Sequence, residues 1–147
     1  MAIRKIIAIF LSAIVLCTSL VATISAEIMY PPVDDGVMPA YEIAGNPISS
    51  LSIIGQTAYC TSETNSVNAI SITVEQTLEK YSGWFWFWNN VEGAHWTETI
   101  NANMISVDNT MYGLSSGTYR LKSVFTLTNS AGKSETITIY SDEKKIA

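Results

Sequence analysis

The chain has 147 residues, of which 13 are acidic and 8 are basic, so its formal net charge at pH 7 is −5. An acidic surface offers no counter-charge to a nucleic acid or to an anionic membrane surface, and we expect neither as a partner. The length is that of a single domain with an N-terminal leader.

The first 26 residues have the three parts of a secretory signal peptide. Arg4 and Lys5 supply positive charge, residues 6–21 form an uncharged apolar run, and a stretch of mainly small residues ends at Ala26. We expect cleavage after Ala26, so the secreted protein would begin at Glu27. The alternative is an uncleaved anchor, because the apolar run approaches the length that spans a bilayer. The membrane would then be a partner only through this segment.

Cleavage would change both the charge and the thiol content. It would remove Arg4, Lys5 and Cys17, and the remaining 121 residues would carry 6 basic and 13 acidic side chains, a net charge of −7. Cys60 would be the one cysteine left, so no disulfide could form within the mature chain. We expect Cys60 to be a small buried hydrophobic group, with intermolecular pairing as the alternative.

The rest of the chain predicts an all-β protein. Residues 27–47 contain all four prolines and predict an extended lead-in. Over residues 48–147, runs rich in β-branched and aromatic residues alternate with turn residues, which indicates a single antiparallel β-sandwich domain. About seven strands are predicted, at residues 50–54, 57–62, 69–80, 84–88, 95–104, 119–127 and 135–140. An irregular crossing is expected between residues 108 and 117.

The segment Leu114-Ser115-Ser116-Gly117-Thr118-Tyr119-Arg120-Leu121 has the form of a tyrosine corner. Gly117 would form the turn, and Tyr119 would enter the next-to-last strand with its hydroxyl bonded back to the turn's backbone. In immunoglobulin domains a cysteine follows two residues after this tyrosine, and here Leu121 takes that place. Cys60 lies on the strand that would carry the partner cysteine. The pattern predicts an immunoglobulin-like sandwich with an apolar Cys60/Leu121 contact instead of a disulfide.

Several short motifs are spread from residue 41 to residue 145. They are Ile48-Ser49-Ser50-Leu51-Ser52-Ile53, Ala58-Tyr59-Cys60-Thr61-Ser62, Ile72-Thr73-Val74-Glu75-Gln76-Thr77-Leu78-Glu79-Lys80, Gly117-Thr118-Tyr119-Arg120 and Glu135-Thr136-Ile137-Thr138-Ile139-Tyr140-Ser141. In these motifs the chain resembles a family of small exported proteins of Gram-positive bacteria that has no assigned function. The resemblance implies export and a β-sandwich, and it supplies no active site.

No combination of residues in the sequence indicates catalysis. His95 is the one histidine, and no Gly-x-Ser-x-Gly elbow provides a nucleophile for it. His95 and Cys60 do not have the spacing of zinc ligands, and the pair Asp34-Asp35 is too small a set for a calcium loop. We therefore expect a protein that is not an enzyme and that uses no metal and no cofactor, with His95 in a surface turn.

A block of aromatic residues is the strongest candidate for a binding site. Residues 84–88 are five consecutive aromatics, and their tryptophans would share one face of a strand. In one interpretation these side chains fill the core or pack under the lead-in. In the other they form an exposed row, with rings roughly 6.5–7 Å apart, that stacks on sugar units. The candidate binding residues are Trp84, Trp86, Trp88, Trp96, Asn89 and Asn90.

The leading hypothesis is a secreted, non-enzymatic protein that binds an extracellular partner, either a cell-wall glycan or a protein. A carbohydrate-binding module would expose the tryptophan row beside the two asparagines. A protein-interaction or structural surface module would bury the tryptophans and offer an unpaired strand edge. An enzyme ranks third, and it would need His95 in a cleft beside a carboxylate and a hydroxyl.

The export signal predicts that the mature protein starts at Glu27. N-terminal sequencing of the protein from the medium of a secreting bacterial host should read Glu-Ile-Met-Tyr. Ala26→Asp should block processing, because a small residue is needed at the cleavage position. A wild-type chain that keeps Met1 and stays with the membrane fraction would contradict cleavage and favour the anchor.

Overall fold

A computed structural model describes residues 41–83 and 87–147, and all the regular structure in these residues is β-strand. The eight strands are β1 (Ile48–Ile54), β2 (Thr57–Asn65), β3 (Ala69–Ser82), β4 (Phe87–Ile100), β5 (Met104–Met111), β6 (Gly117–Asn129), β7 (Ser134–Tyr140) and β8 (Lys144–Ile146). The prediction of an all-β domain is confirmed. In the described part of the chain, no helix is long and apolar enough to cross a membrane. The predicted signal peptide and residues 27–40 of the lead-in lie outside the described residues.

The strands form two antiparallel sheets. One sheet has the order β1-β2-β5 and the other has the order β4-β3-β6-β7, with β8 also paired to β6. In the immunoglobulin fold, strands A, B and E share one sheet and strands C, F and G share the other. Here β1, β2 and β5 take the places of A, B and E, and β3, β6 and β7 take those of C, F and G. The chain is therefore an immunoglobulin-like sandwich.

Side chains alternate between the two faces of the strands largely as predicted. The inward-facing apolar residues predicted for β6 are all buried: Tyr119, Leu121, Phe125 and Leu127. In β3, Ile72 and Val74 are fully buried. Ile70 was expected on the same face but is 55% exposed, and Ala69 is buried instead. The pairing register of β3 with β6 shifts between Ala69 and Ser71, so an irregularity interrupts the two-residue period at that point.

The sequence predicts a break between the strands at residues 84–88 and 95–104, but this is wrong, because β4 continues through residues 89–94. Thr77 of β3 pairs with His95, and Glu79 pairs with Asn90, so four residues of β4 lie opposite one residue of β3. This extra length forms a bulge, and Gly93 within it has a φ of +74°. Turn-forming residues therefore build a bulge inside one strand rather than a link between two.

The irregular crossing predicted from residue 108 is also wrong over its first part. Met104–Met111 form β5, which pairs with β2 along its whole length. Its inward residues Ile105 and Val107 are buried. Asp108 looked like a turn residue, but it lies on the outer face of the strand, where its carboxylate accepts a hydrogen bond of 2.6 Å from Thr61 Oγ1.

The segment before β1 packs against the sandwich. Residues 41–47 were predicted as part of a lead-in, but Ile43 and Ala44 are buried in a hydrophobic cluster with residues of both sheets. The Glu135 carboxylate accepts hydrogen bonds of 2.8–3.0 Å from the backbone N–H groups of Glu42, Ile43 and Ala44. The packed domain therefore includes residues that precede the boundary predicted at residue 48.

A layer of polar side chains separates the two hydrophobic clusters of the core. In β3, Gln76 lies between Val74 of one cluster and Leu78 of the other, and in β6 Ser123 lies between Phe125 and Leu121 in the same way. Along each strand, the residues two positions before and after the polar one therefore belong to different clusters. The layer crosses the middle of the sandwich.

This layer joins both sheets by hydrogen bonds. Gln76 Nε2 donates to Ser62 Oγ at 2.7 Å, and Gln76 Oε1 accepts from Asn109 Nδ2 at 2.8 Å. Ser62 Oγ lies 2.6 Å from Ser123 Oγ, which donates to Ser49 Oγ at 2.7 Å. Among the described residues, no buried side-chain nitrogen or oxygen lacks a partner. The layer therefore connects five strands without leaving polar atoms unsatisfied.

The polar layer predicts a large loss of stability when Gln76 is replaced. Gln76→Leu keeps the volume but leaves Asn109 and the Val107 carbonyl without their partner, which should cost about 2–4 kcal/mol. Urea unfolding of the mature chain measures this loss. Glu75→Ala removes an exposed neighbour and should change stability by no more than about 0.5 kcal/mol. A Gln76→Leu protein as stable as this control would contradict a structural role for the layer.

A second prediction concerns Glu135 and pH. Partial burial raises the pKa of its carboxyl, but the three backbone hydrogen bonds and the charge of Lys133 together hold that pKa below its ordinary value. The ionised Glu135 carboxylate therefore stabilises the folded protein at pH values above the pKa of an unfolded Glu, which is about 4.3. This stabilisation is lost as the pH falls through the lower pKa that Glu135 has in the folded protein.

Glu135→Gln should accordingly be less stable than the wild type at pH 7, with the difference disappearing in acid. Thermal unfolding at a series of pH values measures both proteins. Glu143→Gln, at an exposed position near the C-terminus, should follow the wild type throughout. A difference between Glu135→Gln and the wild type that stays constant down to pH 2 would show that the charge of Glu135 is not responsible.

Candidate functional site

A cleft of about 440 Å³ opens at one end of the sandwich. It lies where β3 ends, β4 begins and β5 leads into β6, so each of these elements supplies part of its wall. Apolar side chains of Val91, Met111 and Leu114 line it, together with the ring of Tyr119. Leu114 and Tyr119 are buried and belong to the hydrophobic cluster at this end of the core. The base of the cleft is therefore rigid and largely apolar.

The tyrosine corner shapes this base. Tyr119 Oη donates a hydrogen bond of 2.7 Å to the carbonyl of Ser115, which is the contact that defines such a corner. Gly117 has a φ of +150°, a conformation that favours glycine. A Cβ atom at Gly117 would also collide with Cε of Lys80. The glycine therefore serves both the turn and the placement of a lysine beside the cleft.

Cys60 and Leu121 lie in the same hydrophobic cluster below the cleft. They occupy the strands that correspond to B and F of the immunoglobulin fold, where a disulfide can join the sheets. Burial raises the pKa of the Cys60 thiol to about 12, so the thiol stays protonated at neutral pH. Cys60 behaves as a small apolar group in this cluster, and not as a nucleophile.

Lys80 is the charged residue of the cleft lining. Its Nζ donates a hydrogen bond of 2.7 Å to Ser115 Oγ and lies 5.5 Å from the centroid of the Tyr119 ring. Within the described residues, no carboxylate forms an ion pair with Lys80. Sequence analysis missed this residue, although the alternation of β3 from Val74 onward places position 80 on the inward face. A lysine at an inward position of a strand was the available sequence signal.

The two predicted asparagines are consecutive residues of β4 beside the cleft, so their side chains lie on opposite faces of the sheet. Asn89 pairs with Lys80 of β3 and shares its inward face, whereas Asn90 pairs with Glu79 and shares the outer face. Both residues are exposed and border the cleft. In the described part of the chain the Asn89 amide has no hydrogen-bond partner. It can donate through its NH₂ group and accept through its oxygen, so it is available to a ligand on the face of Lys80.

The structure separates the tryptophans that it describes. Trp88 pairs with Tyr81 on the outer face of the second sheet, whereas Trp96 pairs with Gln76 on the inner face and packs against the core. Both tryptophans are half-buried. They do not form one platform. Trp84 and Trp86 lie outside the described residues, and their role stays a prediction.

An arginine covers part of Trp88. The guanidinium carbon of Arg120 lies 4.3 Å from the Trp88 ring centroid and 4.0 Å from that of Tyr140. Arg120 Nε also donates to Glu79 Oε2 at 2.6 Å. These contacts tie β3, β4, β6 and β7 together on the outer face, with cation–π interactions on both sides of the guanidinium. Trp88 also packs against Tyr81 with ring centroids 5.3 Å apart, so it supports the cleft wall.

His95 lies away from the cleft. It is an exposed residue of β4, not part of a turn as predicted, and its Nδ1 is 2.9 Å from Thr77 Oγ1 on the outer face. Among the residues that the structure describes, no group of three or more His, Cys, Asp or Glu side chains could hold a metal ion.

No protein-family model matches the chain, and a search of curated proteins finds no match. The resemblance to small exported Gram-positive proteins stays an expectation based on short motifs. The described residues of the cleft combine an apolar base with the amide of Asn89 and the ammonium group of Lys80.

Proposed function

We propose that the protein is a secreted, non-enzymatic binding protein and that the cleft at the end of its sandwich binds a carbohydrate. The observation that carries this proposal is the Asn89 amide, which has no partner among the described residues and lies beside an apolar base on the same face as Lys80. The N-terminal segment with the form of a signal peptide supports an extracellular location. The partner would then be a glycan that the protein meets outside the cell.

The lining of the cleft suits the two kinds of surface that a sugar ring offers. Ring hydroxyls both donate and accept hydrogen bonds, as the amide of Asn89 does. The C–H faces of the ring are apolar and can pack on Val91, Met111 and Leu114 of the cleft. A volume of about 440 Å³ lies within the usual range for small-ligand sites.

In this proposal Trp88 has a different role from the exposed row considered in the sequence. Arg120 covers part of the Trp88 ring on the outer face of the sheet. Trp88 also packs against Tyr81 and so supports the ends of β3 and β4, which form one wall of the cleft. Trp88 is thus a positioning residue, and the contacts with the glycan come from Asn89 and the apolar base.

A glycan-array measurement on the mature protein tests this proposal. The wild type should bind at least one glycan, and Asn89→Ala should bind it about two- to tenfold more weakly, since a hydrogen bond contributes about 0.5–1.5 kcal/mol. Asn101→Ala is the matched control in the exposed turn that follows β4, at the opposite end of the sandwich, and it should bind like the wild type. A folded wild-type protein that binds no glycan would overturn the proposal.

A protein-interaction or structural surface module is the second candidate. Trp88 and Trp96 are half-buried, as such a module would have them. Within the described residues, β1 and β5 each pair with a neighbour on one side, so an extended peptide could add to either edge. This candidate would be favoured if no glycan binds and a cell-surface protein slows amide exchange along β5.

A further inference from the structure

We propose that the cleft selects carbohydrates that carry a carboxylate group and that Lys80 binds this group. The inference depends on the proposed function, because it names the ligand class of the same cleft. It rests on the charge of the lining and on the geometry that holds the lysine in place.

The charge of the cleft is opposite to that of the chain. The sequence has 13 acidic and 8 basic residues, yet among the described residues that line the cleft Lys80 is the one that carries a charge. Its neighbour Glu79 faces the opposite side of β3, where it is paired with Arg120. The ammonium charge of Lys80 therefore faces the cleft without a carboxylate from the described chain to neutralise it.

The surrounding structure holds Lys80 before any ligand binds. The absence of a side chain at Gly117 makes room for its alkyl chain. Ser115 Oγ accepts one hydrogen bond from Nζ, and the Tyr119 ring lies below the ammonium group. An ammonium group has three donors, so two remain for a ligand. Because the side chain is already ordered, little additional entropy is lost when a carboxylate binds.

The number of charges in the cleft favours a single carboxylate over a phosphate group. One lysine matches one negative charge, whereas a phosphate carries up to two and is usually held by arginines or by backbone N–H groups at a helix N-terminus. The described residues contain neither a helix nor an arginine in the cleft lining. Uronic acids and other acidic sugars present a carboxylate beside ring hydroxyls, which Asn89 can bind from the same face as Lys80.

The test compares acidic glycans with their neutral counterparts. The probes are tetrasaccharides of galacturonate, alginate and hyaluronan, each also prepared with its carboxylates reduced to primary alcohols. The wild type should bind at least one acidic probe about tenfold or more tightly than its reduced form, because a hydrogen bond to a charged group is stronger than a neutral one. This affinity should weaken as salt is added.

Substitution of Lys80 provides the second arm. Lys80→Met keeps most of the alkyl chain and should bind the acidic and reduced probes equally, without dependence on salt. Lys133→Met makes the same change of charge in the loop between β6 and β7, at the opposite end of the sandwich, and should keep the preference of the wild type. Thermal unfolding checks that both variants are folded, and the comparison of probes on the wild type needs no variant.

Two results would overturn this inference in distinguishable ways. If the wild type binds acidic and reduced glycans with equal affinity, the role of Lys80 is wrong while carbohydrate binding stands. If the wild type binds none of the glycans, acidic or neutral, the proposed function is wrong and the inference falls with it.

Discussion

The chain of hydrogen bonds across the middle of the sandwich is the constraint on which the rest of the structure depends. Because Ser123 donates to Ser49 and Gln76 donates to Ser62, the one proton of the Ser62 hydroxyl is directed at Ser123. The order of donors is therefore determined. A slip of one residue in any of these strands would turn the polar side chain outward and leave its partners buried and unsatisfied. Cys60 is the one cysteine of the described residues, and in this part of the chain the layer links the sheets at the centre of the core.

The same register places the cleft. On β3, Gln76 lies in the polar layer, Leu78 lies in the cluster below the cleft, and Lys80 follows on the same face. On β6 the corresponding steps run back from Ser123 to Tyr119, which pairs with Lys80. The hydrogen bonds at the centre thus determine which side chains reach the end of the sandwich. The Tyr119 hydroxyl fixes the loop before β6 through its hydrogen bond to Ser115. Gly117, which lacks a side chain, leaves room there for the alkyl chain of Lys80.

The outer face of the second sheet shows how a residue pattern can suggest one role and the fold another. The five consecutive aromatics of residues 84–88 suggest an exposed row of tryptophans that binds a ligand. Trp88, however, lies under the guanidinium of Arg120, which Glu79 and Tyr140 also hold. The cation–π contacts and the partly buried ion pair of Arg120 hold four strands together on this face. Asn89, the next residue of β4, lies on the opposite face of the sheet, beside the cleft.

The sequence by itself determined the features that depend on local order along the chain. Alternation predicted the buried face of β6, and the glycine and tyrosine spacing predicted the corner at Tyr119, because a two-residue period and a turn need only neighbouring residues. Tertiary structure decided the rest. The bulge in β4, the burial of Ile43 and the polar layer around Gln76 depend on which residue lies opposite on another strand or sheet. Lys80 belongs to a cleft for the same reason, since four strands and a loop must meet before its charge faces a cavity.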